Sequence, residues 1–181
     1  MQIIQTPSPN FSKSKYTKIG VEIHKTLGLM PGTLEWLRNP RSFVSYHFLL
    51  LRAGGIRQLV QLKDRSWSAG RINRPSERAK KIMIKYPWGT YIKPGHYLAQ
   101  VAYECLSHQT FTDEQYKDTI WLFKRFSFKI EDGNFLHHQD TAVDKPNLEM
   151  ERMNILARLE TAPEVDREKI KQEIIFLVNK L

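Results

Sequence analysis

A β-hairpin is the clearest structural signal in this chain of 181 residues. Residues 44–51 form a run of high β-propensity, residues 56–62 form a second run, and Gly54 and Gly55 lie between them. Glycine readily adopts the positive φ angles that a tight hairpin turn needs. The pattern predicts two antiparallel strands, so we expect the fold to contain a β-sheet.

Strands and helices are predicted on both sides of the hairpin. Apolar and polar residues alternate over residues 19–24, which predicts a half-buried strand with His24 at its exit. A capping box of Thr112 and Gln115 predicts a helix that ends near Arg125. Further strands are predicted over 97–106 and 130–136, and further helices over 76–85, 147–159 and 163–181. Strands interrupted by helices indicate an α/β or α+β domain with a single mixed β-sheet flanked by helices.

The length suits one domain with small additions at its ends. Residues 1–18 are expected to form a polar, solvated lead-in, and residues 19–159 the main domain. Residues 160–181 are expected to add a C-terminal amphipathic helix, whose predicted apolar face consists of Ile170, Ile174, Leu177, Val178 and Leu181.

Composition excludes several classes of protein. The lone Cys105 excludes an internal disulfide and every zinc site built from two or more thiolates. No apolar run approaches the roughly 18 residues of a membrane span, and the N-terminus has no pattern of a signal peptide, so we expect a protein made in the cytoplasm. The net charge of +9 favours anionic partners.

Histidines at predicted strand ends are the first candidates for chemistry. His24 ends one strand and the pair His137 and His138 ends another. Strand ends that converge on one side of a sheet can hold zinc, which activates water when three protein ligands leave its fourth position open. Glu104 lies in an otherwise apolar strand. Two interpretations of Glu104 stay open: an ion pair with a lysine, or a general base beside a metal.

Several short segments occur in an order that is typical of one enzyme family. They are VEIHKT (21–26), TLEWLRNP (33–40), VSYHFLL (44–50), RAGGIRQLV (52–60), SWSAG (66–70), QVAYEC (100–105), FTDEQY (111–116) and HHQDTAVDKPN (137–147). Together they resemble the zinc-dependent N-acetylmuramoyl-L-alanine amidase family, which includes amidase-type phage endolysins and shares its fold with peptidoglycan recognition proteins. The resemblance implies a mixed sheet flanked by helices, with a zinc ion in a groove on one face.

The resemblance also implies roles for individual residues. His24 matches the first zinc ligand. The second ligand is His138 if the segment is aligned on Asp140 and His137 if the spacing to Lys145 is kept; we favour His138. Tyr46 matches the family's active-site tyrosine, and Glu104 matches its general base. Lys145 matches the lysine that stabilises the oxyanion.

Two departures from the family pattern affect the predicted site. The family's third zinc ligand is Asp or Cys, whereas the candidates here are Asn147 or Lys145, and both are poor ligands for zinc. Asp144 or Asp140 would substitute if the loop followed another path.

The second departure concerns the predicted substrate groove. The family's usual WHAG appears here as WSAG, so Ser68 replaces a histidine. Trp67, Ser68 and Arg71 are the residues that we expect to bind substrate.

These features predict a peptidoglycan hydrolase that cleaves the amide between N-acetylmuramic acid and L-alanine with zinc-activated water, and that acts at the cell wall once released. One alternative is a catalytically impaired relative that only binds peptidoglycan. Another is a basic protein associated with nucleic acid, which the absence of a nucleic-acid-binding motif disfavours. Two interpretations of the basic stretch of residues 71–95, with Trp88 and Tyr91, stay open: a solvated face and loop, or a surface for anionic glycan strands and other envelope polymers.

Overall fold

The structure is a computed structural model that describes residues 1–68, 70, 72–128, 130, 131 and 133–162. The helix predicted over 163–181 and the candidate substrate residue Arg71 lie outside the described residues. The proposed boundaries of the lead-in, main domain and C-terminal helix stay predictions.

The described residues form eight strands and five α-helices. The strands are β1 (Ile3–Gln5), β2 (Phe11–Lys13), β3 (Gly20–Lys25), β4 (Phe48–Leu50), β5 (Ile56–Gln58), β6 (Asp64–Ser66), β7 (Leu98–Tyr103) and β8 (Phe135–His137). The helices are α1 (Gly32–Arg38), α2 (Glu77–Ile82), α3 (Asp113–Arg125), α4 (His138–Thr141) and α5 (Glu149–Thr161). Short 3₁₀ turns cover Pro40–Ser42 and Pro94–His96.

Six strands form a central mixed sheet in the order β1-β5-β4-β7-β3-β8. Strands β4, β7, β3 and β8 are parallel neighbours, whereas β5 pairs antiparallel with β4. This arrangement confirms the predicted hairpin and the mixed sheet flanked by helices. The prediction of a single sheet is incomplete, because β2 and β6 form a separate two-stranded antiparallel sheet.

The two faces of the central sheet differ in chemistry. Successive side chains of a strand point to opposite faces, so Val21 and Ile23 of β3 face one side and Glu22 and His24 face the other. The first face packs against α3 and α5 through an apolar cluster that includes Phe48, Val101, Tyr103, Leu122, Phe123, Phe135 and Ile155. We call this the apolar face, and the opposite one the polar face.

Capping interactions set where the predicted helices begin. The Thr112 hydroxyl accepts a hydrogen bond from the Gln115 N–H, and the Gln115 side chain accepts one from the Thr112 N–H. This reciprocal pair confirms the predicted capping box at the start of α3. At α2, the Ser76 hydroxyl accepts from the Ala79 N–H.

Two predictions about local structure need correction. Part of the lead-in is packed rather than solvated: Ser8 and Asn10 are 3% and 1% exposed, and their side chains bond to carbonyls at Leu37, Asn39 and Val44. Such bonds satisfy polar groups that composition alone assigns to solvent. The last strand is Phe135–His137 rather than residues 130–136, because a turn around Gly133 precedes it.

None of the described helices is long and apolar enough to span a membrane.

Candidate active site

The carboxyl ends of β3, β7 and β8 meet at one edge of the central sheet, because these strands are parallel and adjacent. In open α/β sheets, ligands usually bind at this edge. His24 lies near the end of β3, Glu104 directly follows β7, and His138 directly follows β8. The fold therefore gathers three predicted site residues at one place.

The register of β8 determines which of the two adjacent histidines faces His24. Ile23 on the apolar face pairs with His137, so the next residue, His138, is placed on the polar face with His24. The His24 and His138 rings lie 4.4 Å apart between centroids, edge to face. The Tyr46 ring lies 5.1 Å from the His24 ring.

His137 is directed away from His24. Its Nε2 lies 3.1 Å from Glu149 Oε2 and 3.6 Å from Asp140 Oδ2. The side chain therefore contacts the start of α5 on the opposite side of the strand. The structure brings His24 and His138 together and leaves His137 outside the pair.

Burial keeps both facing imidazoles neutral. Burial, together with the neighbouring His138, holds the pKa of His24 well below its usual range. Burial and the charge of Lys145 lower the pKa of His138 to about 4. A neutral imidazole has a lone pair for a metal ion or a proton, which its protonated form lacks.

Gln100 fixes which nitrogen of His24 carries the hydrogen. His24 Nε2 lies 2.6 Å from Gln100 Oε1, an oxygen that only accepts hydrogen bonds, so Nε2 is the donor. His24 Nδ1 is buried and has no hydrogen-bond partner among the described residues. The lone pair that His24 offers is therefore on Nδ1.

A buried polar network holds Gln100 in place. The Ser68 hydroxyl donates to Gln100 Oε1 at 2.7 Å, and Thr141 Oγ1 donates to Glu22 Oε1 at 2.7 Å. Glu22 Oε2 lies 3.8 Å from His24 Nε2, and burial raises the pKa of Glu22 to about 7. Sequence analysis missed both Glu22 and Gln100. The signal for Glu22 was its position two residues before His24, which puts both on one strand face.

Glu104 is held by backbone hydrogen bonds rather than by a lysine. Its Oε1 accepts from the Met30 N–H at 2.7 Å and its Oε2 from the Arg52 N–H at 2.8 Å. Ala102 pairs with His24, so Glu104 is on the same face and about 7 Å further along the strand direction. Each carboxylate oxygen has two lone pairs, so one on each remains to accept a proton.

A cleft lies beside Tyr46, whose ring contacts that of His24. Its volume is about 470 Å³, and its walls include Leu29, Trp36 and Tyr46. Trp36, which is 56% exposed, was not predicted as a site residue. Burial and the Glu22 charge raise the pKa of Tyr46 to about 12, so its hydroxyl stays protonated at neutral pH. A larger cavity of about 810 Å³ lies around Lys18, Ile19 and Phe126, towards the opposite end of β3.

The loop after α4 places its candidate residues in different environments. The Lys145 amine is partly exposed and lies 3.7 Å from exposed Asp144. Asn147 is exposed, and its Oδ1 accepts from the Glu149 N–H at 2.8 Å, at the start of α5. Asp140 is buried and accepts hydrogen bonds from Ser76 and Arg78. None of these contacts directs Asn147 or Asp140 to His24.

Two of the predicted substrate-binding residues are described. Ser68 is buried beneath the site, where it bonds to Gln100. Trp67 is partly buried, its ring stacks on that of Phe43, and its Nε1 donates to Ser12 Oγ at 3.3 Å.

The donor set fits a zinc ion only in part. Two neutral imidazoles in contact, one with an unpartnered Nδ1, suit zinc. Within the described ranges, however, no three His, Cys, Asp or Glu side chains are grouped closely enough to hold a metal ion. The identity of a third ligand stays a prediction.

Fold and site define an α/β protein with a buried, histidine-lined centre at the carboxyl edge of its sheet. The family described as N-acetylmuramoyl-L-alanine amidase matches residues 19–147, which include this whole edge. The chain belongs to this family. Its membership confirms the prediction of an amidase that acts on peptidoglycan.

Solved structures of an endolysin and of two amidases share the fold. A mutant endolysin from Bacillus subtilis aligns with a TM-score of 0.62 and 16% identity, over 88% of this chain and 99% of that one. The amidase LysC from Clostridium intestinale aligns with a TM-score of 0.60 and 14% identity, over 88% and 98%. AmiD from E. coli, in complex with a muropeptide substrate, aligns with a TM-score of 0.54 and 22% identity, over 72% and 52%. A comparison with curated protein sequences gives no match.

Proposed function

We propose that the protein hydrolyses the amide between N-acetylmuramic acid and L-alanine with the help of a zinc ion, and that His24 and His138 contribute two of its ligands. One observation carries this proposal: two neutral, buried imidazoles meet at the sheet edge within the region that matches the amidase family. A zinc ion bound there would polarise the amide carbonyl and lower the pKa of a bound water.

The chain's own residues have separate roles in this proposal. Glu104 takes the proton of the attacking water and returns it to the leaving amine, since its carboxylate keeps free lone pairs while two backbone N–H groups fix its orientation. The neutral Tyr46 hydroxyl and the Lys145 ammonium donate to the developing oxyanion. The cleft lined by Trp36 and Tyr46 holds the substrate against them.

The difference from the family at the third ligand affects the expected affinity for zinc. Asn147 Oδ1 accepts a hydrogen bond from the Glu149 N–H, and an amide oxygen is a weaker zinc ligand than a carboxylate or a thiolate. We therefore expect zinc to bind more weakly and to be removed more easily by chelators than from a site with three strong ligands.

Replacing Glu104 by Gln tests the proposed base. The amide cannot accept the proton, so we expect turnover of a soluble muropeptide to fall by about 10²- to 10⁴-fold. Product is measured by mass spectrometry, and zinc content by elemental analysis is expected to stay unchanged. The matched control is Glu160→Gln, which alters an exposed carboxyl of α5.

The outcome separates the proposed enzyme from its alternative. Undiminished turnover in Glu104→Gln would remove this residue from the mechanism. Absence of both turnover and zinc in the unmodified protein, with muropeptide binding retained, would favour the peptidoglycan-binding relative.

A further inference from the structure

A surface away from the histidine pair combines positive charge with an exposed aromatic platform. It consists of Arg65 on β6 together with Tyr86, Trp88 and Lys93 from the loop before β7, and we call it the Arg65–Trp88 surface. The sequence between Glu77 and Glu104 contains no Asp or Glu, whereas it contains five Lys or Arg residues: Arg78, Lys80, Lys81, Lys85 and Lys93.

The aromatic platform is built by a tight turn. The Tyr86 N–H donates to the Thr90 carbonyl, and Gly89, with φ of +92°, closes the turn. The Tyr86 and Trp88 rings stack with 4.6 Å between centroids and 4° between planes. Because Tyr86 covers one side of the indole and Trp88 is still 73% exposed, the other side of the indole is open to a ligand.

The segments that carry Arg65 and Lys93 approach each other closely. Gly95 permits the close approach of the loop to β6, since a Cβ there would lie 2.4 Å from the Ser66 carbonyl oxygen. Burial and the nearby Arg65 charge lower the pKa of Lys93. Across the described ranges, neither Arg65 nor Lys93 forms an ion pair. The Lys93 amine donates one hydrogen bond to the Gly70 carbonyl, and Arg65 Nε has no hydrogen-bond partner among the described residues. Two adjacent cations without a carboxylate favour an anion between them.

The chemistry of the platform and of the cations selects one class of ligand. Sugar rings present apolar faces that pack on an indole, and phosphodiesters pair with a guanidinium and an ammonium. Arg65 and Ser68 are three residues apart, so at most about 10 Å of chain separates this surface from the network around His24. We propose that the Arg65–Trp88 surface binds a phosphate-bearing sugar polymer of the bacterial envelope. Binding there would hold the protein on the wall whether or not it cleaves peptidoglycan.

Sedimentation of the full chain with purified cell walls tests this proposal. One portion of walls keeps its sugar-phosphate polymers, and the other is stripped of them with hydrofluoric acid. Binding is expected to the intact walls and to be lost with the stripped walls. A second measurement titrates purified poly(ribitol phosphate) bearing N-acetylglucosamine against the protein by calorimetry.

Two kinds of variant locate the binding surface. Arg65→Gln with Lys93→Gln is expected to weaken binding about tenfold or more. Trp88→Ala, a change at an exposed residue, is expected to weaken it about threefold or more. The control Lys15→Gln with Lys117→Gln removes the same charge from exposed positions elsewhere and is expected to bind as the parent does.

Three results would overturn the proposal. They are equal binding to intact and stripped walls, equal weakening by both charge pairs, and tighter binding of single-stranded oligo(dT) with the same dependence on Arg65 and Trp88. The last result would assign the surface to nucleic acid. Cleavage of a small soluble muropeptide is expected to be unchanged in all these variants, so a failure here is distinct from a failure of the proposed hydrolysis.

Discussion

The two faces of the central sheet are built from the same strands but differ in the side chains that they bury. On β3, Ile23 packs in the apolar cluster, whereas Glu22 and His24 are equally buried in a polar network. Burial of polar groups costs free energy unless each is hydrogen-bonded. Here three buried atoms have no hydrogen-bond partner among the described residues: His24 Nδ1, Glu22 Oε2 and Gln100 Nε2. The apolar face stabilises the fold, and the polar face retains costly groups at the place where the chemistry is proposed.

Replacing Ile23 by Ala is the strongest test of the apolar face. The cavity left in this cluster is expected to lower the free energy of unfolding by about 2–5 kcal/mol, measured by urea denaturation. Activity per folded molecule is expected to stay near that of the parent. A large loss of specific activity at full folding would show that the two faces are not separable in this way.

Replacing Gln100 by Leu tests the polar face. Without the Oε1 acceptor, the Nε2–H tautomer of His24 is no longer fixed, so both tautomers are expected in long-range ¹⁵N–¹H NMR spectra. Zinc affinity, measured by calorimetry, is expected to fall about 10- to 100-fold, as for other partners of metal-binding histidines. Gln61→Leu, at an exposed position, is the control. An unchanged tautomer in Gln100→Leu would show that Gln100 does not orient the ring.

The pH dependence of the free energy of unfolding tests the burial of neutral histidines on the polar face, with a smaller expected effect. His47 lies on the polar face, where Nδ1 accepts from the Gln100 N–H, and burial lowers its pKa to about 3. The unfolded chain therefore binds this proton first, and the stabilisation present above about pH 6.5 is lost as pH falls towards 3, by up to about 1.4 kcal/mol per pH unit.

The variant His47→Gln removes the contribution of His47 to the pH dependence of the free energy of unfolding. Urea denaturation at about pH 7, 6 and 5 is expected to give a shallower decline of the unfolding free energy than in the parent. His24 and His138 contribute in the same direction and keep some decline in the variant. Parallel curves for the two proteins would contradict the contribution of His47.

Local signals in the sequence predicted much of this fold. The Gly54–Gly55 turn and the Thr112–Gln115 capping box act over a few residues, so the hairpin and the start of α3 follow from the sequence. Contacts between residues that are distant in the sequence could not be predicted from such local signals. Ser8 and Asn10 are buried because distant carbonyls accept their hydrogen bonds, which composition does not reveal.

The residues of the candidate site also divide into those that the sequence predicted and those that depend on long-range strand pairing. His24 was a candidate from its position at a predicted strand end and Glu104 from its position in an otherwise apolar strand, and the family resemblance added Tyr46. Gln100 was missed because only the pairing of β7 with β3 places it opposite Glu22 and within reach of His24. The choice between His137 and His138 likewise depends on the register of β8.

That register links the composition of the candidate site to the packing of the apolar cluster. If β8 slipped by one position against β3, His137 would move opposite His24, but Phe135 would at the same moment leave the apolar cluster. A chain with this slipped register would therefore be less stable than the native one, because bringing His137 opposite His24 removes Phe135 from the apolar cluster. Correct folding therefore determines which histidine lies beside His24.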